Sequence, residues 1–136
     1  MMAKQIPRAD KLNKLEAYVR ECAALMNLGG WKVTVISDVA PEDRYADIEV
    51  HSQAATVTMR IGNLFWTQKP DEQRLTVCHE LTHIHLAMAD HAVGALEDVL
   101  GSSAWTPWHS VYEDHQERGT DAIAELIAPL LPMPNL

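Results

Sequence analysis

Residues 76 to 88, TVCHELTHIHLAM, gather three histidines and one glutamate into a run that is otherwise mostly apolar. At about 100° per residue in an α-helix, His79 and His83 fall only about 40° apart, so both imidazoles can reach one ion. Glu80 is turned by about 100° from His79, which puts it beside that ion rather than on it. A carboxylate so placed can take a proton from the water that the ion activates, and this division of labour is the physical content of H-E-x-x-H. Val77, Leu81, Ile84 and Met88 lie opposite the histidines, where they can pack on a sheet and hold the ligands rigid. Leu75, Thr82 and Leu86 lie near the ligand side, so the helix is expected to be buried nearly all round. His85 points about 200° away from His83 and is expected on the core side as a hydrogen-bonded structural residue. Cys78 also faces away from the ligand direction.

Working outward, Pro70 and Asp71 predict the start of this helix, which should end near residue 89. An earlier amphipathic helix is predicted from an N-cap at Asp10 through Leu12, Leu15, Val19, Cys22, Leu25 and Met26, and Gly29 and Gly30 stop it. Between the two helices, WKVTVI (31 to 36), YADIEVH (45 to 51) and ATVTMRI (55 to 61) alternate apolar and polar residues with period two. SDVAPEDR reads as a loop and HSQA as a short hairpin connection, while GNLFWT (62 to 67) is a candidate fourth strand. Residues 91 to 110, HAVGALEDVLGSSAWTPWHS, with Gly94, Gly101 and Pro107, read as a partly helical connection; a last helix is predicted from near 109 to Pro129. The fold class is therefore α+β: an N-terminal helix, a small, mainly antiparallel sheet of three to four strands, the histidine helix and a C-terminal helix. Residues 1 to 9 read as a flexible tail and residues 10 to 136 as a single domain.

Two histidines leave a catalytic zinc one protein ligand short. A metzincin pattern would need histidine at 89 and glycine at 86, where this chain has alanine and leucine. His91 lies well off the ligand face. The better supplier is YEDHQERGTDAIAELIAPLL (112 to 131), where Glu113, Glu117 and Asp121 share one helical face and Ile123, Leu126, Ile127 and Leu130 take the opposite one. Thr120, Ala124 and Ala128 flank the acidic stripe, and small residues there let this helix come close to the histidine helix.

HELTH (79 to 83) followed by ERGTD (117 to 121) resembles the gluzincin arrangement, H-E-x-x-H with a downstream E-x-x-x-D. HELTHIHL together with ERGTDAIAELIAPLLP also resembles the ImmA/IrrE-like and phage-type small metallopeptidases, over residues 31 to 132 and most strongly in these two motifs. Thr120, Asp121 and Ile123 stand where that family has its usual Ala-Asn pair and phenylalanine. The resemblance implies a zincin-like metallopeptidase fold and one catalytic zinc. It makes His79, His83 and Glu117 the ligands; Glu113, one turn earlier on the same acidic face, is the alternative third. Glu80 becomes the general base and Asp121 the partner of a ligand histidine. It further implies substrate bound as an added strand on a sheet edge, for which ATVTMRI is the candidate. His109, Tyr112 and His115 are the candidate oxyanion donors, and Trp105 and Trp108 either form a lid or a side-chain pocket or pack under a loop.

At 136 residues the chain can bury roughly two-thirds of its unfolded surface, enough for a core of its own. A net charge of −8 with scattered basic residues disfavours direct nucleic-acid binding. No apolar run approaches the roughly 20 residues of a membrane span, and the N-terminus lacks the apolar core of a secretory signal. Cys22 and Cys78 read as reduced thiols, so a cytoplasmic setting is expected. The expected partner is a peptide or protein substrate. The alternative is a zinc-stabilised interaction or regulatory module that cuts nothing, although such structural sites favour four ligands and cysteine.

Overall fold

The computed structural model describes residues 9 to 37 and 44 to 136. The chain runs α1 (Ala9–Leu25), β1 (Lys32–Ile36), β2 (Ala46–His51), β3 (Thr56–Ile61), α2 (Pro70–Gly94), α3 (Leu96–Leu100) and α4 (Ser102–Ile127). Because α1 already includes Ala9, Asp10 lies in its first turn rather than at its cap. Most of the expected tail, residues 1 to 8, and most of the expected loop, residues 38 to 43, lie outside the described residues.

The fold is α+β, with a sheet that is mixed rather than mainly antiparallel. Its strand order is β1-β3-β2, with β3 parallel to β1 and antiparallel to β2. Alternation in a sequence identifies the buried face of a strand but not its direction, so parallel pairing of β1 was not readable. Nor is β3 an edge: ATVTMRI is the central strand, and β2 is an outer one. GNLFWT forms a 3-10 turn, Asn63–Thr67, that buries Phe65, so this segment adds no strand to the sheet.

The register lines up Val33, Val57 and Val50 in one row and Val35, Met59 and Ile48 in the next. These rows face α1 and α2, and together with Leu15, Val19, Phe65, Val77 and Leu81 they form one continuous core. The α1 helix also caps part of the outer edge of β1. The Glu16 carboxylate accepts the Val35 N–H at 3.0 Å, and the Arg20 guanidinium donates to the Val33 carbonyl at 3.0 and 3.1 Å. The Val35 N–H and the Val33 carbonyl, two of the backbone groups that this strand turns away from β3, are thereby satisfied within the molecule.

After β3 the chain turns at Gly62, whose N–H donates to the Tyr45 carbonyl at 2.9 Å. A Cβ at residue 62 would overlap the Arg44 carbonyl oxygen. Gly62→Ala is expected to cost about 1–3 kcal/mol, read as a thermal midpoint lowered by about 4 °C per kcal/mol.

Pro70 opens α2 at a position where its missing N–H is harmless, and the Glu72 carboxylate accepts the Lys69 N–H at 3.1 Å. This helix runs to Gly94, beyond the sheet, and Ile84 is its last residue in the core. His85 and Met88 are therefore exposed, contrary to the expected burial of the helix nearly all round. The α4 helix starts earlier than residue 109, because Pro107 falls in its second turn, where only one helical hydrogen bond is forfeited. Gly101, at φ 75°, makes the break from α3. Behind α4, the Tyr18 hydroxyl donates to the Pro132 carbonyl at 2.7 Å and pins the C-terminal segment to α1.

Candidate metal centre

The α4 helix crosses α2 on its small residues. Thr120, Ala124 and Ala128 are buried, whereas Leu126 and Leu130 are exposed. The approach is close enough for the Cys78 thiol to meet the Ala124 carbonyl at 3.7 Å. Cys78 and Cys22 are both buried free thiols, and burial pushes both pKa values up.

This close crossing brings the acidic stripe of α4 over the histidines of α2. His79 Nε2 and His83 Nε2 are 3.2 Å apart. The Glu117 carboxylate stands 3.4 Å from the first and 3.1 Å from the second. A tetrahedral zinc with bonds of about 2.05 Å separates its ligand atoms by about 3.3 Å; the two Nε2 atoms are at that spacing, and Glu117 faces His79 with Oε2 and His83 with Oε1, so that one atom from each residue lies within 4.8 Å of the others. Asp121 Oδ1 lies 2.8 Å from His79 Nδ1. That contact favours the tautomer with the proton on Nδ1, leaving the Nε2 lone pair turned toward the other two donors. Burial lowers the pKa of His83, which favours the neutral ring that a metal requires. The donor set thus fits a zinc ion, and among the described residues it is the one such cluster of histidine, cysteine and carboxylate groups.

Glu80 is 8 % exposed, on the wall of the cleft that the three donors share. Burial, then the charges of Glu117 and Asp47, push its pKa up to about 8, while Arg44 acts the other way. A cation held by the three donors would lower that value. Asp47 is itself held by a two-pronged ion pair with Arg60, its cross-strand partner, at 2.6 Å.

The cleft measures about 1160 Å³ and lies between β2, α2 and α4. Several expectations are revised by its walls. Glu113 lines it but pairs with His109 at 3.5 Å and stands outside the cluster, which Glu117 forms with the two histidines. His91 lines the cleft away from that cluster. His109, Tyr112 and His115 do not line it. His109 stacks on Trp105 at 4.5 Å, His115 is exposed on α4, and the Tyr112 hydroxyl donates to Asp90 at 2.7 Å. That hydrogen bond pushes the Tyr112 pKa up to about 12, which keeps the phenol protonated. Trp105 and Trp108 pack against each other at 5.7 Å and form no wall of the cleft.

Asp90 is a residue that sequence reasoning passed over. It also accepts from Gln116, the neighbour of Glu117, and so ties α4 to α2 beside the donor cluster. The signal was present: seven residues beyond His83 is two helical turns, which keeps Asp90 on the histidine stripe. No protein-family model, no curated protein and no solved structure matches the chain. Among the described residues, no helix is long and apolar enough to cross a membrane.

Proposed function

We propose that the protein is a zinc-dependent peptidase, built on a small zincin-like frame, that hydrolyses peptide bonds in extended substrates. One juxtaposition carries this reading. The His79, His83 and Glu117 donors lie beside the nearly buried Glu80, in a cleft that runs along the outer strand β2.

His79, His83 and Glu117 would hold the ion, and Asp121 would keep the His79 ring in its ligating orientation. Three protein ligands leave one tetrahedral position for chemistry, as catalytic zinc sites do. When bound, zinc polarises the scissile carbonyl and acidifies a water molecule. Glu80, nearly buried on the cleft wall, would accept a proton from the attacking water and deliver it to the leaving nitrogen. The outer edge of β2 offers backbone groups to an extended peptide, whereas the edge of β1 is occupied by Glu16 and Arg20.

Elemental analysis of untagged protein, followed by digestion of an unfolded protein, tests the proposal. About one zinc per chain is expected, with cleavage that a chelator stops and added zinc restores. Protein that takes up no zinc on reconstitution overturns the proposal. Zinc uptake without cleavage of an unfolded protein or a peptide library returns the chain to the interaction-module reading.

A further inference from the structure

We infer that the hollow beside the β2–β3 connection is a specificity subsite that takes an apolar substrate side chain, two to four residues N-terminal to the scissile bond. The inference rests on the peptidase reading and goes beyond it by naming which substrates are cut.

The hollow, about 530 Å³, is bounded by residues 50 to 54 on the strand side and by Met88 and His91 of α2. Val50, Ser52 and His91 line both this hollow and the main cleft, so the two are continuous. Their chemistry differs. Asp47, Asp90 and Glu113 put carboxylates on the walls of the main cleft, whereas no carboxylate, guanidinium or ammonium lines the hollow. Val50, Ala54 and Met88 supply its apolar surface, and Met88 is 65 % exposed. A substrate side chain seated there would take a large thioether out of water, and methionine adapts readily to what it covers.

The position of the hollow fixes which part of a substrate reaches it. Arg44 and Asp47, at the start of β2, lie near Glu80, while the end of β2 leads to Met88 and His91. The strand and α2 therefore run in the same direction. Antiparallel pairing is the more stable way to add a strand, so a peptide on β2 would place its N-terminal portion at the end of that strand, by the hollow. Met88 and His91 are five and eight residues past His83, or about 8 and 12 Å along the helix. An extended peptide advances about 3.4 Å per residue, which places the hollow two to four residues from the bond that is cut.

The test is digestion of a randomised peptide library by the zinc-loaded full chain, with cleavage sites read by mass spectrometry, for the wild type and Met88→Glu. The wild type is expected to enrich Leu, Ile, Met or Phe roughly tenfold at one position in that window, the discrimination an apolar pocket gives. Met88→Glu is expected to abolish this enrichment and to favour Lys or Arg there, with the preference at the scissile bond unchanged. Cleavage with a flat profile across the window, or an enrichment that Met88→Glu leaves intact, overturns the subsite and leaves the peptidase reading standing. A response to Met88→Glu on the C-terminal side of the bond overturns the assigned direction. A zinc-loaded protein that cleaves nothing overturns both readings together.

Discussion

Glu80→Gln is expected to keep zinc bound while lowering kcat by at least about 10²–10⁴-fold, the usual contribution of a positioned general base. The amide has nearly the shape of the carboxylate, so the cleft wall is preserved and the loss reports proton transfer rather than packing. The same variant has an independent signature in the metal-free protein. In wild type the folded-state pKa of Glu80 is raised from 4.5 to about 8, so between those values the native state binds a proton that the unfolded state has released. Stability therefore falls as pH rises across that window, on the order of 1.4 kcal/mol per pH unit at most, and levels off above it. Glutamine carries no such charge, and the fall should be largely absent from the metal-free variant. Denaturant titrations at pH 5 and pH 8, with zinc removed, measure the difference. An equal pH dependence in both proteins would refute the burial argument for Glu80.

Glu117→Ala is expected to weaken zinc binding by more than about 100-fold. Loss of a supporting partner of a ligand typically costs 10–100-fold, and removal of a ligand costs more. The side chain of Glu117 is 54 % exposed, so the stability of the metal-free protein should change by no more than about 0.5 kcal/mol. Asp121→Ala, which removes only the partner of His79, should fall between this variant and wild type. Competition with a chromophoric chelator orders the three proteins. Wild-type affinity in Glu117→Ala would show that the ion, if bound, is held by other residues.

The donor cluster was legible because helical periodicity converts sequence spacing directly into direction. His79 and His83 on one helix, and Glu117 and Asp121 on another, are each one turn apart, and the structure sets the two pairs against each other. The crossing that does so was only half legible. Thr120, Ala124 and Ala128 could be read as permitting close approach, but the exposure of Leu126 and Leu130 runs against hydropathy. Backbones approach closely through small residues, and bulky ones are turned outward when that approach decides the packing. The sheet was the least legible part. Strand order depends on where the chain travels between β1 and β2, and no periodicity within a strand records that path. The open edge was consequently assigned to the third strand rather than the second.

The partial capping of the β1 edge by Glu16 and Arg20 also bears on how copies of the chain can meet. Growth of a fibre through sheet edges needs two open edges per molecule, one to receive and one to offer. With the β1 edge partly capped, β2 is the freer edge among the described residues, and two molecules that join β2 to β2 about a twofold axis form a pairing that closes on itself. Such a pair would cover both clefts at once, so self-association through this edge would end in a reversible, self-occluded dimer instead of an aggregate.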